Sequence, residues 1–306
     1  MLRRLAIQDG KLIDSSDETA PILVFIAPND EEKKCLIEQH LIDRHTLASA
    51  LDPQELGRVE FEPDHTAVII KRPKQYCYED NFLFKISSVG MFLYGSRLII
   101  VLAEETVQFQ SKHFSKLHSL NDVILRVVHR SIVHFEEHLG VFNMIAEQLE
   151  EKINTAMENR YLLNLFTLEK SLVYYLNAIG SNKRVIEKLK IQAQRLGFTT
   201  ENIEFLDDLL IENDQCHEMA HTYSQVLSSL VGARASLVSN NLNVLMKTLT
   251  LVMIALMLPT LVVSIFSMNV NLPLEQNNGL QSFAIIMALA AASCVAVVWL
   301  WRYKKW

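Results

Sequence analysis

The sequence predicts an α/β N-terminal cytosolic domain followed by long α-helices, the last of them a stalk helix continuous with the first of two C-terminal transmembrane helices. Three observations carry this reading. Residues 249–266 and 280–301 hold no charged side chain, and each run can cross a hydrocarbon core of roughly 30 Å at about 1.5 Å of rise per residue. Short β-branched and aromatic runs broken by glycine and proline fill the first ~110 residues. From residue 120 onward the apolar spacing becomes helical. The expected organisation is an α/β domain over 1–118 and antiparallel long helices over 119–198. A stalk plus first membrane helix follows over 199–268, then an extracytoplasmic loop over 269–279. A second membrane helix over 280–301 and a basic cytosolic tail over 302–306 complete the chain.

Composition narrows the function classes. The 306 residues are 50% hydrophobic and carry a formal net charge of -6. An acidic balance without a basic stripe and interleaved aromatics argues against nucleic acid and suits attraction of cations. The N-terminus carries Arg3 and Arg4 with no apolar run behind them, so no signal peptide is expected. Cys35, Cys77, Cys216 and Cys294 are scattered, the usage of a reduced cytosolic domain, with Cys294 packed in a membrane helix.

Orientation follows from flanking charge. Lys247 precedes the first span, and Arg302, Lys304 and Lys305 follow the second, whereas the loop between them has no Lys or Arg and one acid, Glu275. The positive-inside rule puts both chain ends in the cytoplasm, and Trp299, Trp301, Tyr303 and Trp306 suit the aromatic belt of the inner face. The resemblance drawn below implies a bacterial inner membrane as the location.

In chain order, strands are expected at 22–27, 67–71, 82–87, 91–94 and 97–102, with turns at Gly90 and at Gly95-Ser96. One helix is expected from Asn29 to about residue 50. A long amphipathic helix should run from about 120 to 158 and a second from 161 to 178. That second helix should break at Gly180-Ser181-Asn182, and a third should end at Gly197. Thr199 or Thr200 caps the fourth, with Glu201 and Glu204 in its first turn, where acids suit the helix dipole. No Gly-Pro cluster interrupts this fourth helix, so it is expected to continue from 201 to 267, a length on the order of 100 Å.

Alternating steps of three and four residues reveal a stripe on that helix. Within the span it reads Asn243, Met246, Thr250, Met253, Met257, Thr260, Ser264 and Ser267, with Leu249 at its edge. Thr248 is the one polar side chain of the span off the stripe. Traced back into the soluble part, the same rule collects Ser239, Ser236, Gly232, Ser229, Gln225, Thr222, Glu218, Gln215, Ile211, Asp208, Glu204 and Glu201. A coiled-coil seam would be apolar at such positions. In the soluble part a polar stripe is also what any solvated face shows, and in the bilayer small polar side chains also serve helix–helix contact. A polar stripe continuing in register from water into lipid is better explained as the wall of an aqueous path. One helix encloses nothing, so several copies must form a ring.

The residues of this region resemble a known family. The segment 240–250 reads Asn-Asn-Leu-Asn-Val-Leu-Met-Lys-Thr-Leu-Thr. Met257-Leu258-Pro259-Thr260, Ser267-Met268-Asn269 and Pro273 follow. Together these resemble the CorA family of divalent-cation channels, two-span proteins with a Gly-Met-Asn signature, and within it the CmaX-like branch. The resemblance implies a homopentamer embedded in the lipid bilayer, its first membrane helix lining the pore. It implies a selectivity ring at Ser267, Met268 and Asn269, pore-facing Asn243 and Thr260, and apolar constrictions at Met246 and Met257. Glu201, Glu204, Asp208 and Glu218 would line the cytosolic funnel, and Glu275 the outer loop. Three positions depart from the pattern: Ser267 replaces the signature glycine, Val270-Asn271 stands where an acid usually follows, and Gly232 occupies the place of a regulatory aspartate. Glu79, Asp80, Asp207, Asp208 and Asp214 are the substitutes on offer.

His217-Glu218-Met219-Ala220-His221 matches the H-E-x-x-H pattern of zinc proteases. Such a site needs a third ligand, and after His221 the chain offers only Glu275, across the membrane. The segment is therefore read as a solvated stalk face, with His217, His221, Asp207 and Asp214 as candidates for a regulatory metal. His134 and His138 share the i, i+4 spacing and are read as exposed faces of an amphipathic helix. The chain is expected not to be an enzyme and to need no cofactor, with magnesium as its transported ion. A zinc or broad transition-metal transporter of the same superfamily is the alternative. A membrane scaffold with a degenerate signature is the rival from another class.

Overall fold

The computed structural model describes residues 1–76, 82–105, 107, 109, 114–156, 159–268 and 279–304. They form two compact units, Met1–Val231 and Gly232–Trp306.

The first unit is built on a seven-stranded sheet. Its strands are β1 (Leu2–Gln8), β2 (Lys11–Asp14), β3 (Ile22–Ile26), β4 (Arg58–Phe61), β5 (Thr66–Pro73), β6 (Ile86–Leu93) and β7 (Leu98–Leu102). They lie in the order β2-β1-β3-β7-β6-β5-β4, with β3 and β7 parallel and the other neighbours antiparallel. Helices α1 (Asp30–Glu38) and α2 (Arg44–Leu51) connect β3 to β4, and three long helices follow: α3 (Leu120–Ala156), α4 (Asn159–Ile191) and α5 (Thr200–Phe266).

Alternation along the strands splits the core in two, as a period of two residues requires. Val24, Ile26, Val68, Ile70, Leu98 and Ile100 face one way, into a large cluster shared with α3, α4 and α5. Leu23, Phe25, Ala67, Ile69, Ile99 and Val101 face the other, against Leu36 of α1 and Leu47 and Ala50 of α2. The sheet is thus covered on both faces, which suits its continuous apolar strands.

Local chemistry sets the element ends. Asn29 caps α1 in a reciprocal box with Glu32. Ser119 and Asp122 form a similar box at α3: Ser119 N donates to Asp122 Oδ2 at 2.9 Å and Asp122 N to Ser119 Oγ at 3.2 Å. At α5, Asn202 N donates to Thr199 Oγ1 at 3.2 Å and Thr199 N to Asn202 Oδ1 at 3.1 Å. Of the two cap candidates, Thr199 and Thr200, Thr199 is the one that caps.

Four expectations are corrected, and three strands not anticipated are added. The helix expected over 29–50 is two helices, because Asp43 captures the amides of His45 and Thr46 and starts α2 afresh after Leu41, at φ 53. In place of the strands expected at 82–87 and 91–94 there is the single strand β6, which starts only at Ile86 and leaves 82–85 outside it, and Gly90 is a strand residue rather than a turn. A Cβ there would meet Ala50 Cβ at 2.5 Å, so the glycine lets α2 lie directly on the sheet. Gly180-Ser181-Asn182 does not break α4. Ser181 Oγ accepts from Gly57 N at 2.7 Å, and Asn182 clasps both backbone groups of Lys71 at 2.7 Å, so the trio docks the helix on the sheet. The chain also begins with a hairpin, β1–β2, whose two-residue turn Asp9-Gly10 has φ of 50 and 70, and β4 adds an edge strand. Lastly, His134 and His138 are not exposed. His138 Nδ1 lies 2.7 Å from the Tyr175 hydroxyl and Arg72 reaches His134 Nδ1 at 3.1 Å. Burial, with Arg72 and Arg130 nearby, lowers His134 to about 3, and burial lowers His138 to about 4.

The second unit holds the rest of α5 and α6 (Gly279–Lys304). Both are long and apolar enough to cross a membrane, with mean hydropathy of 2.5 over their most apolar windows.

Candidate functional site: the polar face of helix α5

Helix α5 runs unbroken from Thr200 to Phe266, as expected. In the first unit it buries Asn202, Leu206, Leu209, Asn213, Cys216, Ala220 and Leu227. These positions step by three and four as far as Ala220 and then by seven to Leu227, with the partly buried Tyr223 between, so they form one seam pressed into the large core cluster. The two asparagines in the seam are satisfied: Asn213 Nδ2 donates to Ile179 O at 3.2 Å and Asn202 Nδ2 to Asp122 Oδ1 at 2.6 Å. Cys216 is pushed up to about 12 by burial and is chemically quiet.

The polar stripe falls on the opposite side. Glu201, Glu204, Asp208, Ile211, Gln215, Glu218, Thr222, Gln225 and Ser229 are all exposed. The candidate metal ligands are placed differently. Asp214 pairs with Lys183 at 2.9 Å and Asp207 with Lys190, while His221 is exposed and His217 half-buried. Among the described residues no three His, Cys, Asp or Glu side chains are grouped to hold a metal. Glu79 and Asp80 lie outside the described residues.

In the second unit α5 meets α6 along one face. The less exposed positions of α5 are Leu251, Ala255, Pro259, Val262 and Phe266, and those of α6 are Ser282, Ile286, Ala290, Ser293, Cys294 and Val297. One contact was not anticipated from the sequence. Pro259 has no N–H, which leaves the carbonyl four residues earlier, Ala255 O, without its helical donor. Cys294 Sγ of α6 donates to that carbonyl at 3.4 Å. A proline inside one span and a thiol inside its partner were the available signal.

The membrane stripe faces away from α6. At about 100° of turn per residue, Asn243, Met246, Thr250, Met253, Met257, Thr260, Ser264 and Ser267 centre roughly 180° from the α6-facing row. All eight are exposed, as are Leu249 at the stripe's edge and Met268 beyond the helix end. Thr248, the polar side chain off the stripe, lies on the α6 side, lining a crevice with Leu251, Val297 and Trp301. Asn269 and Glu275 lie outside the described residues.

Hydroxyl geometry gives the stripe a chemical sense. Thr250 Oγ1 donates to Met246 O at 2.8 Å, Thr260 Oγ1 to Leu256 O at 2.8 Å, and Ser267 Oγ to Ser264 O at 2.9 Å. Each hydroxyl proton is spent on its own helix, so the oxygen presents acceptor lone pairs outward. Acceptors without protons suit a cation or the water protons of its hydration shell, and no side-chain charge on the stripe would hold the ion back.

The chain resembles proteins of known structure over nearly all of its length. Residues 19–303 match the family described as CorA-like Mg2+ transporter protein. The cobalt/magnesium transport protein CorA of Methanocaldococcus jannaschii is 28% identical over 298 residues, which cover 91% of this chain and 89% of that one. The complete structure of the CorA magnesium transporter from the same organism superposes with a TM-score of 0.80 at 24% identity, covering 98% of this chain and 96% of that one. The full-length CmaX structure superposes with a TM-score of 0.70 at 13% identity, covering 100% and 98%.

Proposed function

The chain belongs to the CorA family of divalent-cation transporters, and from that premise we propose that it is a homopentameric channel passing hydrated magnesium into the cytoplasm. Membership makes it a transporter rather than an enzyme. The observation that carries the finer reading is the face of α5 opposite α6, a line of outward hydroxyl acceptors and methionines with no place in the single chain's own packing. A ring of α5 helices turns that face inward and gives every copy the same environment.

On this reading Asn243, Thr250, Thr260 and Ser264 supply oxygen to the hydration shell of the ion. Met246, Leu249, Met253 and Met257 narrow the path and close it by dewetting. Ser267, Met268 and Asn269 form the outer ring. Magnesium gives up water reluctantly, so a ring of neutral oxygens that holds it through its waters suits conduction. Glu201, Glu204, Asp208 and Glu218 face the cytosolic path and raise the local cation concentration. An inward-moving divalent ion gains roughly 4.6 kcal/mol per 100 mV, so no energy-coupling site is required. Both termini lie in the cytoplasm, with Arg302 beside the inner headgroups.

The test is magnesium influx into proteoliposomes containing the purified chain at an inside-negative potential, with Asn269→Ala alongside. The reading predicts flux in the wild type and its loss, by tenfold or more, in the variant. Absence of magnesium flux in oligomeric wild-type protein contradicts it. Zinc flux in the same vesicles would then identify a transition-metal carrier, and no flux of either ion a scaffold.

A further inference from the structure

Pro259 stands inside the first span, between Met257 and Thr260 of the polar stripe. A proline removes one backbone donor and its ring crowds the carbonyl four residues earlier, here Ala255 O. In lipid no water is at hand to satisfy such a carbonyl, and a neighbouring helix must do so. Cys294 of α6 does, with its Sγ 3.4 Å from Ala255 O.

The thiol behaves unlike the hydroxyls around it. Thr248, Thr250, Thr260 and Ser267 each donate to a carbonyl of α5, and Ser293 Oγ donates to Ala290 O of α6 at 2.7 Å. Ala290 O is also the carbonyl four residues before Cys294, so it takes the Cys294 N–H in the ladder of α6. With Ser293 on its second lone pair, that carbonyl is filled, and the thiol reaches across instead. The two residues are thus matched: Pro259 frees an acceptor on the α6 side of α5, and Cys294 carries a donor whose usual acceptor on its own helix is taken.

The proline also divides the stripe. Met246, Leu249, Met253 and Met257 precede it, and Thr260, Ser264 and Ser267 follow it. The course of α5 at this point sets how the two groups line up. On the N-terminal side of Ala255 a crevice of about 180 Å³ opens between the spans, lined by Thr248, Leu251, Val297 and Trp301. The thiol contact therefore sits where close packing of the two helices gives way to open space.

We propose that Cys294 is a positioning residue for transport: its thiol clasps the carbonyl that Pro259 frees and so holds the methionine half of the stripe in line with the hydroxyl half. The proposal rests on the reading of α5 as the pore wall. A thiol behaves as a small hydrophobe with a weak donor, which suits a clasp on a joint within lipid rather than a rigid strut.

The experiment has two readouts on the full chain in proteoliposomes, with Cys35, Cys77 and Cys216 replaced by alanine so that Cys294 is the one thiol. The first is the infrared S–H stretch, which falls to lower frequency when the thiol donates. It should stand at the hydrogen-bonded position with Pro259 present and rise in Pro259→Ala, where a restored backbone N–H takes Ala255 O. The second is magnesium flux at an inside-negative potential. Cys294→Ala should lower it by about threefold or more, the scale of one hydrogen bond. Cys294→Ser keeps a donor and should lower it by less than about twofold. In the Pro259→Ala background Cys294→Ala should have no effect, whereas a mere loss of packing would act alike in both backgrounds. An S–H band unmoved by Pro259→Ala would overturn the proposal, as would equal losses of flux in Cys294→Ala and Cys294→Ser. The infrared readout needs no flux, so a shifted band in a parent chain that passes no magnesium would contradict the pore reading and not the clasp.

Discussion

Up to Ala220, helix α5 buries a side chain every three or four residues, with Leu227 one heptad further; beyond Gly232 it buries none. The two stretches share one helix and differ in what satisfies it. In the first unit the seam from Asn202 to Leu227 closes on the chain's own core. In the second, α6 covers a single row, while Leu245, Leu256 and Leu261 remain more than half exposed. The first stretch is complete within one chain. The second has one face for α6, two apolar flanks for lipid or neighbouring copies, and a polar face that suits neither. That surplus is the observation on which the proposed shared path rests.

Leucine truncation should separate the two stretches most sharply. Leu206→Ala removes a fully buried side chain and should cost about 2–5 kcal/mol of stability in the first unit, cavity term included. Leu256→Ala, at 67% exposure, should leave that unit's stability unchanged. Urea unfolding of the full chain followed by far-ultraviolet circular dichroism checks both, and equal losses would break the comparison.

Acid should act on one unit only. All ten histidines precede Gly232, and all three tryptophans lie in the second unit. His134 and His138, held at about 3 and about 4 in the fold, would titrate near 6.5 in the unfolded chain. Between those values the unfolded state binds more protons, so stability falls as pH falls below about 6.5 and continues to fall toward 3. The loss should be on the order of a few kcal/mol for the pair. Thermal melting by circular dichroism should shift down over this window, with tryptophan fluorescence unmoved at the pH where the melt has begun to shift.

The exposed acids should give the smallest stability effect. Glu204→Gln and Glu218→Gln should change stability by less than about 0.5 kcal/mol, since both side chains are exposed in the single chain. Their effect should appear in flux at low magnesium and low salt, and shrink as ionic strength screens the vestibule.

What was legible in the sequence follows the range of the interactions. The two apolar spans, the unbroken α5 and its cap at Thr199 depend on residues within a few positions of each other, and all are present. The Asp9-Gly10 turn was equally local and equally readable, a strong hairpin signal between Gln8 and Lys11. The misreadings depend on partners far away. Ser181 looks like a helix breaker until Gly57, 124 residues earlier, is seen to donate to it. Gly90 looks like a turn until Ala50 is seen lying on it. His138 looks exposed until Tyr175 closes over it. Of the candidate site, the stripe's composition was readable, but its placement opposite α6 required the second span's contact row, and Cys294's bond to Ala255 required both helices together.

The most direct test of the central claim is thiol accessibility along α5. Single cysteines at 246, 250, 253, 257, 260 and 264, and at 251, 255, 256 and 262, would be placed in a background with Cys35, Cys77, Cys216 and Cys294 replaced. Each would be exposed to a water-soluble methanethiosulfonate reagent in proteoliposomes. Modification at the stripe positions, with protection by magnesium and no reaction on the α6 and lipid faces, is the predicted result. Uniform protection of the stripe, or reactivity spread evenly around the helix, would contradict an aqueous path along this face.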